Sequence, residues 1–123
     1  MTGARILIVE DETIVAFDLR RCLERMNYEV CGVFARGEDA IDEAEKEPPD
    51  LVLMDINLAG TLTGLEAAGA IRARAPIPIV FLSAFDDDQT IAAMRNAQMA
   101  GYVTKPFDEH ELSRVLSATL SPE

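Results

Sequence analysis

No stretch of this 123-residue chain approaches the ~18 consecutive apolar residues of a membrane-spanning helix. Met1 leads into a short apolar run with no cleavage pattern, so a secretory leader is not expected and the location implied is cytoplasmic. Cations are scarce: 11 Lys and Arg against 22 Asp and Glu leave a net charge of −11. That excludes an unaided nucleic-acid binder, because phosphate contacts need clustered cations, and it disfavours an anionic membrane surface. Two cysteines, Cys22 and Cys31, are too few for a disulfide scaffold. They lack CxxC spacing and read as reduced, semi-buried thiols. Internal repeats, low-complexity segments and linkers are absent.

Apolar residues make up 49% of the chain. That suffices for one domain whose core hides roughly two-thirds of the unfolded surface. Short apolar runs at residues 6–9, 51–54 and 79–82 have the length and β-branched content of parallel strands buried on both faces. Residues 30–34 and 101–104 read as two further strands. Between them lie amphipathic periods at residues 13–26, 38–47, 65–74, 87–97 and 108–120. Pro48 and Pro76 mark where the second and third of these end. The run Asp86-Asp87-Asp88 sets carboxylates at the start of the fourth, where the helix dipole favours them. Five βα units in order predict a parallel sheet with helices on both faces and right-handed crossovers. Residues 1–123 are expected to form this one domain, with residues 121–123 a tail and no output domain.

Ligands of an open α/β sheet sit beyond the carboxyl ends of its strands. There the sequence puts Glu10 and Asp11 after strand one, Asp55 after strand three, Ser83 after strand four, and Lys105 and Pro106 after strand five. Two carboxylates ~4 Å apart repel by ~4 kcal/mol at an effective dielectric of ~20. Three such pairs are unfavourable by on the order of 10 kcal/mol when all are ionised. Either a proton or a cation must enter. Lys105 supplies one charge, and a divalent ion with oxygen ligands and open water positions supplies two more, which points to Mg²⁺.

The segments ILIVEDE, PDLVLMDINL, IVFLSAF and GYVTKPF, in this order and spacing, resemble the four motif blocks of bacterial two-component response-regulator receiver domains. The resemblance spans nearly the whole chain. It implies a flavodoxin-like (βα)5 sheet in the order 2-1-3-4-5, and a phosphoacceptor signalling switch rather than a turnover enzyme. By the same resemblance Asp55 is the phosphoacceptor, Asp11 a direct ligand of Mg²⁺ (or Mn²⁺), and Glu10 an acid acting through water. Asn57 offers its backbone carbonyl to the metal, and Lys105 pairs with the phosphoryl group. Ser83 is the switch hydroxyl, Tyr102 the switch aromatic, and the Lys105–Pro106 bond is cis. The surface of helix four, strand five and helix five is implied to change on phosphorylation. A sensor histidine kinase is the expected donor. A histidine phosphotransfer protein or a downstream effector is the expected reader, with the chain a monomer or a phosphorylation-dependent homodimer.

Departures from the commonest pattern are Glu10 in place of Asp, Ser83 in place of Thr, a loop from Asp55 to Gly64 one residue longer, and Ala59 where Pro is frequent. A Mg²⁺-dependent aspartyl-nucleophile phosphohydrolase is the alternative, but its chemistry needs a second Asp where Asn57 stands. A flavodoxin-type electron carrier would place FMN phosphate against the acidic EDET segment. His110 reads as a solvated side chain, Met94 and Met99 as packing residues, and Tyr102 also fits a half-buried strand aromatic. Gly69 is expected to allow close helix packing, at ~1 kcal/mol relative to Ala.

Overall fold

Five apolar runs form the strands of one parallel sheet in a computed structural model that describes residues 3–58 and 60–120. The strands are β1 (Arg5–Val9), β2 (Glu29–Phe34), β3 (Leu51–Asp55), β4 (Ile79–Ser83) and β5 (Gly101–Thr104). Their order is β2-β1-β3-β4-β5. The helices are α1 (Thr13–Arg25), α2 (Gly37–Lys46), α3 (Gly64–Arg74), α4 (Asp88–Asn96) and α5 (Glu109–Leu120). Ala59 and the tail at residues 121–123 lie outside the described residues. Among the described residues no helix is long and apolar enough to cross a membrane.

The strand interiors are apolar throughout because both faces are covered. Every residue of β3 and β4 is buried. Alternation along each strand divides the core in two. Leu7, Val9, Val52, Met54, Ile79 and Phe81 pack with α2, α3 and α4. Ile6, Ile8, Leu51, Leu53, Val80, Leu82 and Val103 pack with α1 and α5. The edge strand β2 is only half-buried, and its register against β1 slips between Ile6 and Leu7. Cys31 is the extra residue of that bulge, since Ile6 pairs with Val30 and Leu7 with Gly32. Cys22 is buried, Cys31 is half-buried, and both are free thiols.

Local chemistry explains the helix ends. Asn27, at φ 69°, takes the left-handed conformation that stops α1. Thr63 accepts from the Glu66 amide at 3.1 Å while Glu66 accepts from the Thr63 amide at 3.0 Å, a reciprocal cap that starts α3. Asp87 caps α4 through the Thr90 amide and hydroxyl, at 3.3 and 2.7 Å. These bonds stabilise its charged form and hold its pKa below the usual carboxylate value.

Two glycines of α3 differ in what they do. A Cβ on Gly64 would overlap the carbonyl oxygen of Asp55 and crowd Ile56, so the start of α3 lies directly against the end of β3. Gly69 does not serve close packing, contrary to the sequence-based expectation: it is exposed, and a Cβ there meets nothing within 4 Å. Gly64→Ala is therefore expected to destabilise the fold by about 2–4 kcal/mol. Gly69→Ala should stabilise it by about 0.5–1 kcal/mol. Urea unfolding of both variants checks this, and a Gly64→Ala protein as stable as wild type would contradict the close approach.

Candidate functional site

The carboxyl ends of β1, β3 and β5 bring a set of charges together through strand parity. Glu10 follows Ile6 and Ile8, Asp55 follows Leu51 and Leu53, and Lys105 follows Val103, all on the α1–α5 side. The backbone holds these ends in register beyond the last strand residues. Glu10 N–H donates to the Phe34 carbonyl at 2.9 Å, and Lys105 N–H to the Ser83 carbonyl at 2.8 Å. The Lys105–Pro106 peptide bond is cis.

Lys105 is the centre of this set. Its Nζ lies 3.2 Å from Glu10 Oε1, 3.3 Å from Asp55 Oδ2 and 3.1 Å from Glu12 Oε1. Burial works against its charge, but the hydrogen bond to Glu12 and the charges of Asp55 and Glu10 outweigh it and raise its pKa above the ordinary lysine value. Carboxylate oxygens of Glu10, Asp11 and Asp55 all lie within 4.8 Å of one another. Glu10 and Asp55 are buried, and Asp11 is half-exposed. Both Glu10 oxygens are engaged, Oε1 by Lys105 and Oε2 by the Glu12 amide at 3.0 Å. The Asn57 amide donates to Asp55 Oδ1 at 3.1 Å and fixes the carboxylate from the loop side. Asp11, Glu12, Asp55, Asn57, Ala84 and Lys105 line an open cleft of about 330 Å³ over this cluster.

Burial pushes the Glu10 pKa from 4.5 to about 7, helped by the charge of Asp55 and opposed by the hydrogen bonds from the Glu12 amide and Lys105. Three carboxylates thus share one ammonium, and Asp11 lies beside them. The surplus negative charge, the all-oxygen donor set and the open cleft fit a hard divalent cation.

Ser83 and Tyr102 stand apart from this group. Both belong by parity to the α2–α4 side, where Tyr102 is half-buried against the core that includes Phe81 and Met94. The buried Ser83 hydroxyl donates to the Phe85 carbonyl at 2.6 Å and accepts from its amide at 3.1 Å. His110 is exposed, Met94 is fully buried, and Met99 packs against the same core. Glu12 is the member of the cluster that sequence reasoning passed over. Its signal was an acid at a helix N-cap that is neither Asp nor Asn.

The sequence profile of the response regulator receiver domain family matches residues 6–117. This chain is a response regulator receiver domain. It is a phosphoacceptor domain, a substrate of phosphorylation rather than a turnover enzyme, and its acidic cluster lies where that family is phosphorylated. The receiver domain is 34% identical over 117 residues to the transcriptional regulatory protein PdtaR of Mycobacterium tuberculosis, covering 95% of this chain and 57% of that protein. It is 32% identical to the phyllosphere-induced regulator PhyR of Methylorubrum extorquens, covering 96% of this chain and 44% of the relative. The chain therefore spans about half the length of these relatives. Among solved structures, a putative response regulator from Chloroflexus aurantiacus superposes with a TM-score of 0.90 at 30% identity, covering 98% of this chain and 99% of that one. The receiver domain of sensor histidine kinase PA1611 from Pseudomonas aeruginosa superposes with a TM-score of 0.86 at 32% identity, covering 95% and 97%. That structure holds a magnesium ion in its active site cleft.

The raised Glu10 pKa gives the receiver domain a defined pH response. A carboxyl whose pKa is raised by folding contributes stability that is whole below pH 4.5 and is lost as the pH rises through about 7. Glu10→Gln keeps the neutral form at every pH. In metal-free buffer it should match wild type near pH 4.5 and exceed it by on the order of 3 kcal/mol at pH 8. Parallel stability profiles from urea unfolding across this range would contradict the assignment.

Proposed function

We propose that Asp55 takes the phosphoryl group from the phosphohistidine of a sensor histidine kinase, in a reaction dependent on Mg²⁺ or Mn²⁺. The observation that carries this is the position of Asp55. It is a buried carboxylate ending a wholly buried strand, 3.3 Å from Lys105 and open to the cleft. An Asp55 oxygen attacks phosphorus, the new O–P bond replaces the P–N bond, and the imidazole leaves with the electron pair of the broken bond.

Asp11, Asp55 and the Asn57 carbonyl would hold the metal directly. Glu10, with both oxygens already engaged, would act through water. When bound, the ion offsets the charge of the acids and of the phosphoryl oxygens. Lys105 binds a phosphoryl oxygen from the β5 side. Ile14 and Phe17 on α1 and Phe85 after β4 are exposed apolar side chains on segments adjoining those that line the cleft, and a docked kinase would cover them. These suit an apolar protein surface better than a small solute alone.

Phosphorylation adds acceptor oxygens near the end of β4. Ser83 then exchanges its bonds to Phe85 for one to the phosphoryl group, and Tyr102 moves into the space it leaves. The α4–β5–α5 face changes shape and is read by a histidine phosphotransfer protein, a downstream effector or a second copy of the chain. This is a two-state element biased by a local charge event.

Acetyl phosphate with Mg²⁺ should label Asp55, mapped by mass spectrometry after borohydride reduction. Asp55→Asn should lose the label, and label elsewhere would refute the acceptor assignment. Asp11→Asn should weaken Mg²⁺ binding by at least about tenfold in an NMR titration, and equal affinity would remove Asp11 from the site. Beryllofluoride should shift the resonances of Asp55, Tyr102 and α4. Ser83→Ala should still bind beryllofluoride but show much smaller changes at Tyr102 and α4. Full switching in that variant would exclude the hydroxyl as the coupling group.

A further inference from the structure

A lysine ammonium has three protons to donate. In Lys105 each has a carboxylate partner: Glu10 at 3.2 Å, Asp55 at 3.3 Å and Glu12 at 3.1 Å. A phosphoryl oxygen can bind Lys105 only by displacing one of them. The three are not equally displaceable. The side chains of Glu10 and Asp55 are 0% and 5% exposed, so while the donor is arriving and Asp55 is not yet phosphorylated neither can swing into water to free the lysine. The Glu12 side chain is 64% exposed and can turn into water with no desolvation cost.

Glu12 also occupies an unusual place for an acid. It is the N-cap residue of α1, yet its side chain makes no capping bond to the helix. Its amide instead serves Glu10, and its carboxylate crosses to Lys105 at the rim of the cleft. Short polar residues at this position bond back to the helix amides, whereas this longer one leaves them and reaches the site.

We propose that Glu12 is a positioning residue that occupies Lys105 in the resting state and yields it to the phosphoryl group. It thereby biases the site against small dianionic phosphodonors. This rests on Asp55 being the acceptor. The bias has two parts: competition for one lysine proton, and repulsion of an arriving anion by a charge on the rim. Repulsion grows with the charge of the donor and falls with added salt. At ~5 Å in water and ~0.1 M salt it corresponds to about a fivefold effect on a dianion and about a twofold effect on a monoanion.

The test compares phosphorylation rates of wild type, Glu12→Gln and Glu12→Ala with acetyl phosphate, a dianion near neutral pH, and with phosphoramidate, a monoanion. Both variants should react about fivefold faster with acetyl phosphate and about twofold faster with phosphoramidate. Both gains should shrink in 0.5 M salt. Beryllofluoride, which offers acceptors to Lys105 as a phosphoryl group does, should bind both variants several-fold more tightly, and Glu12→Ala the more so because its side chain cannot hydrogen-bond the lysine. Equal factors for the two donors, or no change with either, in a wild-type protein that labels on Asp55 would overturn the role of Glu12 and leave the acceptor assignment standing. Absence of label on Asp55 in wild type would instead overturn the acceptor assignment.

Discussion

Crowding of like charge at the carboxyl edge of the sheet is the constraint on which the site depends. Glu10, Asp11, Glu12 and Asp55 converge there, and three of them, Glu10, Glu12 and Asp55, share one ammonium, Lys105. A hydrophobic sheet can hold such a group only because its ends are rigid. Every residue of β3 and β4 is buried, and the ladder continues past the strands through the amides of Glu10 and Lys105. Fully apolar strands therefore provide the stiffness against which the charges are held apart. Burial at this rigid edge, with a smaller contribution from the charge of Asp55, raises the pKa of Glu10 to about 7.

The cluster is graded from inside to outside. Glu10 and Asp55 are buried, with Asp55 at the floor of the cleft, Asp11 is half-exposed, and Glu12 is open to water. Burial makes a charge expensive to move, and exposure makes it cheap. The inner pair is thus a fixed field and the outer pair an adjustable one. Four residues of nearly identical chemistry can take distinct parts because their solvation differs.

Much of this was legible in the sequence because parallel strands buried on both faces leave continuous apolar runs. The helix limits differed by about one residue: α1 ends at Arg25 with Met26 as its cap, and α3 starts at Gly64. Asp55 and Ser83, expected just past their strands, are instead their last residues. The rule that ligands lie beyond the strands' carboxyl ends brought Glu10, Asp55 and Lys105 to one edge together with Ser83, and the structure separates Ser83 from them by strand parity. What was not legible depended on contacts between segments distant in sequence. Glu12 looks like any acid at the start of a helix until Lys105, 93 positions away, is found beside it. Gly64 looks like an ordinary loop residue until the Asp55 carbonyl is found where its Cβ would lie. Gly69 misled because composition cannot distinguish a glycine that lets a neighbour approach from one that merely faces solvent. The bonds between Ser83 and Phe85 are a local turn that no periodicity announces.

The division of side chains between the two faces of the sheet has a consequence for how such a domain diversifies. Glu10, Asp55 and Lys105 belong to the α1–α5 side, while Ser83 and Tyr102 belong to the α2–α4 side. The two sets share no helix, so substitutions that remodel one layer leave the packing of the other intact. The acids and the lysine thus lie on one side of the sheet and Ser83 and Tyr102 on the other, while the proposed α4–β5–α5 face draws α4 from one layer and α5 from the other. On the proposed reading, a lineage can exchange its audience by editing α4, whereas edits to the buried side of α5 touch the layer that carries Asp55 and Lys105.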